Sequence, residues 1–467
     1  MIDPSFAIYF WGFLLLYGTV MYVISPPATT VSAFFAGTDD AGKPATEWAL
    51  MCSIFISWIF AKSVTNAANL GAAHGIVGGL AYATYWLSIP VAGIVIYWLR
   101  TRHGATGLVP LLIAKYGRLA AVSFTLAILI RLYNEVWSNT AVVGAYYGKP
   151  GEWTFIAAAL LFTAVTLFYS LKGGLRSSIF TDVIQAVLFV VVMVIVLFVI
   201  LPTHGVGKLL TVGEFKLAAG LDLLLVALLQ VLSYPFHDPV LTDRGFITKE
   251  KNMLRAMIAA GVLGFICIFA FSLVGVHAKL EGLPAGDNMP GAVALAFGVL
   301  PYLLMTIVMI MAAGSTLDST FSSVAKSIGQ ELPLLAGRAP GPRAIMIGMW
   351  TMLAFALLGN LPMIAGTDIL KATTLSGTMV MGLAPIFLLA PLVRDKSPWS
   401  FHLAFWPGVL LGIALAANAI PASWAIGTGK YALLLGVNLY GLLICFVGFL
   451  LPLAWQRINA PAHATRT

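Results

Sequence analysis

Charged residues are scarce in this sequence. Only 9% of its 467 residues are Asp, Glu, Lys or Arg, and 60% are hydrophobic, whereas soluble domains carry about 25% charged residues. A water-soluble domain of this length could not bury so much apolar surface, so soluble fold classes are excluded. Alternating apolar segments of about 10 residues, which mark the strands of a membrane β-barrel, are also lacking.

Cysteine and metal-ligand spacings are sparse as well. The three cysteines, Cys52, Cys267 and Cys445, are scattered inside apolar runs, and an odd number without regular spacing favours packed hydrophobic side chains over a disulfide framework. The seven histidines show no zinc-ligand spacing in the sequence. We therefore expect no enzymatic activity and regard an intramembrane enzyme as disfavoured.

What the chain does contain is a series of apolar runs, each near the roughly 20 residues that span a bilayer. These runs predict an all-α membrane protein with about 13 transmembrane helices. The predicted spans are 5–25, 48–72, 75–99, 117–147, 152–171, 178–201, 218–236, 252–277, 292–325, 342–358, 367–392, 400–418 and 429–455. No basic residue precedes the first run, so we interpret it as a retained helix rather than a signal peptide.

The net charge of +8 is better explained by topology than by nucleic-acid binding. Lys and Arg concentrate in every second loop, which is the pattern of cytoplasmic loops. The bias places the N-terminus outside and the C-terminus in the cytoplasm. We expect a multi-pass protein of the plasma membrane, which in a bacterium is the inner membrane.

Two of the predicted spans contain helix-breaking residues. They are "MCSIFISWIFAKSVTNAANLGAAHG" (51–75) and "LLQVLSYPFHDPVLTDRGF" (228–246). Paired interrupted helices in corresponding halves of a chain are typical of the central binding site of a transporter. The pattern predicts four regions: an N-terminal helix and loop (1–45), two inverted repeats (46–202 and 203–395) and C-terminal helices with a short tail (396–467).

One apolar helix carries an unusual number of hydroxyl groups. In "GSTLDSTFSS", Ser315, Ser319, Ser322 and Ser323 follow helical spacing, so they share one face. Small hydroxyl residues also serve helix packing, but packing explains one or two of them better than it explains this set with Asp318 at its edge. The stripe favours a site for a small hard cation, which needs several oxygen ligands.

Four segments of the chain carry distinctive motifs: "KGGLRSSIFTDVIQ" (172–185), "SYPFHDPVLTDRGFITKEKNMLRA" (233–256), "AAGSTLDSTFSS" (312–323) and "SAFFAGTDDAGKPATEWAL" (32–50). Together they resemble signatures of the sodium:solute symporter family. The family includes carriers of proline, pantothenate, sugars, sialic acid and urea. The resemblance implies a leucine-transporter-like five-plus-five inverted repeat, with one extra helix before it and two after it.

The resemblance also assigns residues to sites. It implies a sodium site made by the carbonyls of Trp58, Ala61 and Ala312 and the hydroxyls of Ser315 and Thr316. It further implies a possible second ion site at Asp182, Ser319 and Asp318, and substrate contacts at Gln230, Tyr234, Asn66 and Asn69. The stretch "TMVMGLAP" (378–385) resembles the gate helix.

Lys62 departs from the family pattern because it falls beside the proposed sodium carbonyls. Its ammonium could be paired with Asp182, Asp318 or Glu135, or it could replace sodium. Both cations cannot fill one low-dielectric site, because their repulsion costs several kcal/mol. Arg131 and Glu135 are spaced i, i+4 and are expected to neutralise one another. If Glu135 pairs with Lys62 instead, Arg131 could meet a carboxylate substrate.

The function predicted from these features is sodium-coupled symport of a small organic solute by alternating access. Proline or another amino acid, urea and a small carboxylate all suit it, and sodium is expected as the co-transported ion. The expected partners are the solute, sodium and the bilayer, without nucleic acid. One alternative is a proton-coupled or facilitative carrier in which Lys62 replaces sodium, and another is a transporter-like membrane sensor.

Overall fold

The computed structural model describes residues 4–284, 286–364, 376–393 and 397–459. Within these ranges the regular structure is helical. The longer helices are α1 (Pro4–Ile24), α3 (Glu47–Trp58), α4 (Ala61–His74), α6 (Ser88–His103), α8 (Arg118–Ala145), α9 (Trp153–Ile200), α11 (Leu221–Gln230), α13 (Glu250–Leu280), α15 (Val299–Lys326), α17 (Ala344–Leu358), α20 (Pro398–Ala416) and α21 (Ala432–Ile458). The shorter helices are α2 (Val31–Ala36), α5 (Ile76–Ala83), α7 (Leu108–Tyr116), α10 (Val206–Leu209), α12 (Pro239–Thr242), α14 (Met289–Ala296), α16 (Leu332–Leu335), α18 (Leu361–Ile364) and α19 (Leu383–Leu388).

Short turns of other helical types connect several of these elements. The 3-10 turns are Thr84–Leu87, Leu201–Thr203, Leu217–Ala219, Tyr234–His237, Asp243–Phe246 and Ala422–Trp424, and a π-helical turn spans Ser327–Glu331. In the described residues, nine helices are long and apolar enough to cross a membrane, or up to ten when the bent pair α3–α4 is counted. The prediction of a multi-pass all-α membrane protein is confirmed, while the number 13 stays a prediction. The predicted span 367–392 lies partly outside the described residues.

Helix α9 is sharply bent at a glycine. Its 48 residues would extend about 72 Å as one straight helix, more than twice the roughly 30 Å of a bilayer core. Gly174 has φ 54° and ψ −134°, outside the helical region. The Ser177 hydroxyl donates to the Tyr169 carbonyl at 3.1 Å, although eight helical residues would separate them by about 12 Å. The chain therefore bends sharply here, between the predicted spans 152–171 and 178–201.

Both predicted helix interruptions are present. Helices α3 and α4 are bent by 58° at a break of two residues. Helix α11 ends at Gln230, and two short turns, Tyr234–His237 and α12, follow it before α13 begins. Proline at positions 235 and 239 lacks a backbone donor and cannot continue an α-helix from the preceding turn.

One predicted span differs from the structure. The run 292–325 was expected to be a single helix, but α14 ends at Ala296 and α15 begins at Val299. Gly298 between them has φ 107°, a conformation that only glycine adopts readily. The polar stripe is therefore carried by a helix that starts about two turns later than predicted.

Close helix packing positions the two broken segments. Helix α4 lies against α13, and a Cβ atom at Gly275 would come within 1.7 Å of the Ala68 carbonyl oxygen. A Cβ at Gly71 would similarly lie 2.2 Å from the Ser272 carbonyl. Helix α15 packs on α3, α8 and α9, so its polar face is enclosed by protein. The division into two inverted repeats at residues 202 and 203 stays a prediction.

Candidate functional site

The break between α3 and α4 releases a backbone carbonyl. At Ile59 the backbone leaves the helical region (φ −81°, ψ 73°). The Ala61 amide donates to the Asn139 side chain at 3.1 Å, so it does not make the usual bond to the carbonyl of Ser57. That carbonyl accepts a hydrogen bond from the Thr316 hydroxyl at 3.1 Å instead. The hydroxyl stripe of α15 is therefore in direct contact with the unwound segment.

The five residues assigned to the first ion site are all buried: Trp58, Ala61, Ala312, Ser315 and Thr316. The Thr316 hydroxyl is also 3.0 Å from the Ala312 carbonyl, so its single hydrogen is shared between this carbonyl and that of Ser57. The Ala61 carbonyl accepts from Thr65 at 3.2 Å. Ser315 donates to the Asp182 carboxylate. These contacts bring Ala312 and Thr316 to the break and link Ser315 to the residues of the proposed second ion site.

A second buried cluster contains two carboxylates and one guanidinium. We call it the Asp182 network, and its members are Asp182, Asp318, Arg244, Ser53, Ser178, Thr181, Ser315 and Ser319. Arg244 Nη2 lies 3.1 Å from Asp182 Oδ2 and 2.7 Å from Ser319 Oγ. Ser178 and Thr181 donate to Asp318 at 2.8 and 3.0 Å. All eight side chains are fully buried.

Arg244 was not among the predicted site residues, yet it is at the centre of this network. It also donates to Ser53 at 2.7 Å and to the Val240 carbonyl at 2.5 Å. With both carboxylates ionised, the network carries one negative charge more than Arg244 neutralises. The signal that could have identified Arg244 is its place at the end of the second interrupted segment, where a lone arginine follows "PVLTD".

A third cluster, the Lys62 network, consists of Lys62, Glu135, Arg131 and Asp238. Lys62 Nζ lies 2.6 Å from Glu135 Oε1. Arg131 forms an ion pair with Glu135 and a second one, at 3.0 Å, with Asp238. All four side chains are at most 1% exposed. Two cations face two anions, so this network is balanced.

The geometry distinguishes the partners that the sequence left open for Lys62. Its ammonium meets Glu135 and the Ser138 hydroxyl (3.1 Å) on α8, not Asp182 or Asp318. Glu135 bonds both Lys62 and Arg131, so the expected i, i+4 pair is also present. Asp238 was not identified from the sequence. It forms the second ion pair of Arg131 and accepts a hydrogen bond from the Trp58 indole at 3.1 Å.

A small cavity adjoins the Lys62 network. It has a volume of about 20 Å³, room for about one water molecule, and is lined by Trp58, Phe60, Lys62, Ser63, Tyr82, Tyr85, Trp86 and Tyr234. The Arg131 guanidinium stacks near two of these rings, 5.4 Å from the centres of both Phe60 and Tyr234. The cavity therefore combines aromatic faces with a few hydroxyls and an ammonium, a mixture typical of sites for small organic molecules.

The predicted substrate residues fall in three places. Tyr234 lines the cavity, and Asn66 lies behind it, donating to the Tyr82 hydroxyl at 3.1 Å. Gln230 accepts from Tyr85 at 2.7 Å and donates to Asn438 at 3.0 Å. Asn69 is away from the cavity and bonds the backbone of Asp287 and Met289, at 2.9 and 3.0 Å.

Comparisons with known proteins support the family resemblance. The model of the sodium:solute symporter family matches residues 40–244. A sodium/glucose cotransporter 4 from Danio rerio is 27% identical over 210 residues, which is 42% of this chain and 30% of the relative. A sodium/myo-inositol cotransporter from Homo sapiens is 27% identical over 169 residues, covering 35% of this chain and 22% of the relative. The similarity to the family that the motifs predicted is confirmed.

The fold is also shared with a solved structure. The substrate-bound outward-open state of a Na⁺-coupled sialic acid symporter superposes with a TM-score of 0.72 at 16% identity, covering 98% of both chains. This match establishes the fold class. The chain spans about a fifth to a third of the length of the curated relatives it matches. The matched relatives are transporters by name, not enzymes.

Proposed function

We propose that the protein is a secondary active transporter that couples the entry of sodium to the uptake of a small organic solute. The observation that carries this proposal is the contact between Thr316 and the Ser57 carbonyl at the helix break. Irregular backbone at this depth in a membrane is tolerated where it lines a cavity or binds an ion. The matched family and the named relatives, which are sodium cotransporters, support the same function.

In the proposed first site, sodium is held between the unwound segment and α15. The carbonyls of Trp58, Ala61 and Ala312 and the hydroxyls of Ser315 and Thr316 supply the oxygen ligands. Ser315 and Thr316 would turn from their present protein acceptors toward the ion. Sodium then fixes the unwound segment next to the solute cavity, and each ligand raises the affinity for the other.

The Asp182 network is the proposed second ion site, formed by Asp182, Asp318 and Ser319. A buried excess negative charge is costly unless a cation or a proton neutralises it. The guanidinium of Arg244 already neutralises one carboxylate. The other carboxylate leaves one negative charge, which a single further cation or proton would neutralise. The related sialic acid symporter is described as having a novel Na⁺ site, which is consistent with more than one ion in this fold.

The arrangement of Lys62 supports sodium over the alternative mechanism. The ammonium points to α8, whereas the hydroxyls of the first ion site lie on α15, and Glu135 neutralises it at 2.6 Å. The alternative is a proton-coupled or facilitative carrier in which Lys62 takes the place of sodium. It is favoured by one observation, namely that Lys62 lines the cavity.

The cavity limits the class of solute. Arg131 is engaged by both Glu135 and Asp238, so it is not available to bind a carboxylate. Aromatic walls and hydroxyls suit a small neutral or zwitterionic molecule such as proline or urea better than an anion. Glucose and myo-inositol, which appear in the names of the relatives, are also included in the test. We place the carrier in the plasma membrane with its N-terminus outside and its C-terminus inside.

Uptake into proteoliposomes tests the function. Proline, urea, a small carboxylate, glucose and myo-inositol are offered with and without an inward sodium gradient. We expect at least one solute to accumulate only with sodium, and Ser315→Ala to weaken that dependence. The proposal would be overturned if parent uptake ignored sodium while Lys62→Ala made it sodium-dependent. Sodium-dependent thermal stabilisation of the purified protein provides a second measurement that does not require knowing the solute.

A further inference from the structure

Three metal-ligating side chains meet at the end of α13, apart from both ion-pair networks. They are His204, His277 and Glu281, and one donor atom of each lies within 4.8 Å of the other two. His204 follows the 3-10 turn that ends the second half of α9. The other two side chains are one helical turn apart at the end of α13, so they share a face. No part of the proposed transport mechanism uses this cluster.

The hydrogen bonds around His277 favour one of its tautomers. The hydroxyl of Thr203 donates its only hydrogen to the Ile200 carbonyl at 2.7 Å. The same hydroxyl lies 3.1 Å from His277 Nδ1. With the hydroxyl hydrogen on the Ile200 carbonyl, the oxygen accepts from Nδ1, which then carries the proton. The lone pair of His277 is then on Nε2. Metal-bound histidines are held in the same way, by a hydrogen bond from the nitrogen that does not bind the metal.

The other two ligands are partly exposed to water. His204 Nε2 and Glu281 Oε1 are 2.7 Å apart, and their side chains are 17% and 47% exposed. In a tetrahedral zinc site the ligand atoms are about 3.4 Å from one another, given bonds of roughly 2.0–2.1 Å. Adjustments of about 1 Å would bring the three atoms to this spacing, and water could complete the coordination.

We propose that His204, His277 and Glu281 form a binding site for a transition-metal ion of the Zn²⁺ class. The N₂O ligand set suits zinc, while Mg²⁺ and Ca²⁺ prefer oxygen ligands alone. The bound ion joins the segment after α9 to the end of α13, and all three ligands lie in the predicted second repeat. By the predicted topology, this end of the molecule faces the exterior. The proposal does not depend on the transport function.

Titration of the purified, tag-free full-length protein with Co²⁺ and Zn²⁺ tests the site. We expect one Co²⁺ ion with the visible absorption of a tetrahedral complex, displaced by Zn²⁺, and a thermal midpoint that rises with Zn²⁺ concentration. His204→Ala, His277→Ala and Glu281→Gln should each lower the affinity at least about 10-fold, and Thr203→Val, which removes the orienting hydroxyl, by about 10-fold or more.

His402→Ala is the matched control, because this partly exposed histidine on α20 interacts with Trp406 rather than with the cluster. It should leave the affinity unchanged. The proposal is overturned if the parent binds no Co²⁺ in tetrahedral form, or if the ligand variants bind as tightly as the parent. Glu281→Gln changes a half-exposed side chain, so its result does not depend on whether the histidine variants fold.

Discussion

The Lys62 network and the Asp182 network are both fully buried, yet their charges are arranged differently. In the first, two cations alternate with two anions, and Glu135 is bonded by Lys62 and by Arg131. In the second, Arg244 faces the carboxylate of Asp182 while Asp318 is surrounded mainly by hydroxyl donors. The first network is complete with its own side chains, whereas the second can accept another positive charge.

This difference separates a structural role from an ion-binding role. A buried ion pair adds little net stability over an apolar pair, but the removal of one partner is strongly destabilising. The Lys62 network is therefore expected to hold α4, α8 and the second broken segment together, regardless of the ions present. The Asp182 network should respond to sodium, because its charge is balanced only when a cation or a proton is bound.

The largest expected effect is that of Glu135→Gln. This change leaves two buried cations facing one carboxylate, so we expect a loss of about 3–5 kcal/mol in the free energy of unfolding. Unfolding by SDS in mixed micelles provides the measurement. Combining the change with Lys62→Met restores the charge balance and should recover more than half of the loss. A double variant no more stable than the single one would contradict a balanced network.

Asp318→Asn should have a smaller effect on folding and a specific effect on coupling. Arg244 and Asp182, 3.1 Å apart, would remain as a neutral pair, and Asn can still accept from Ser178. We expect the number of sodium ions transported with each solute to fall by one, measured as the ratio of sodium flux to solute flux. No single neutralising change in the Lys62 network should lower this flux ratio. An unchanged ratio in Asp318→Asn would contradict the proposed second ion site.

Thr316→Val tests the first ion site with an isosteric change. Losing one hydroxyl ligand should weaken the apparent affinity for sodium about 10-fold, the usual size of a hydrogen bond to a charged group. Thr320→Val is the matched control, since Thr320 is buried one turn further along α15 and donates to its own helix at 2.8 Å. Sodium-dependent uptake or thermal stabilisation gives both affinities. Equal effects of the two changes on the sodium affinity would contradict a role of the Thr316 hydroxyl as a sodium ligand.

Much of this arrangement could be predicted from the sequence. Long apolar runs, the proline pair at 235 and 239, and the polar residues at 51–75 gave the helical membrane fold and both interruptions. The division at Gly298 was missed because hydropathy does not register a single glycine with positive φ. The spacing of Ser315 and Ser319 indicated a polar face, which is local information within one helix.

The partners across helices could not be predicted in the same way. Arg244 and Asp182 are 62 residues apart, and periodicity contains no information on which buried charges meet. For Lys62 the sequence offered three acidic partners, and only the packing of α4 on α8 selects Glu135. The histidine cluster was missed for the same reason, because His204 and His277 come together through the turn after α9 rather than through sequence spacing.

The smallest expected effect is at Asn69, which lies outside both networks and outside the cavity. Its side chain bonds the backbone of Asp287 and Met289, so Asn69→Ala should lower the free energy of unfolding by about 1 kcal/mol. The apparent KM for solute should change less than twofold, because no contact to the cavity is lost. Asn66→Ala, which removes the donor to Tyr82 behind the cavity wall, should raise the KM more. A larger change in KM for Asn69→Ala than for Asn66→Ala would move the solute site toward the exterior end of α4 and away from the Lys62 network.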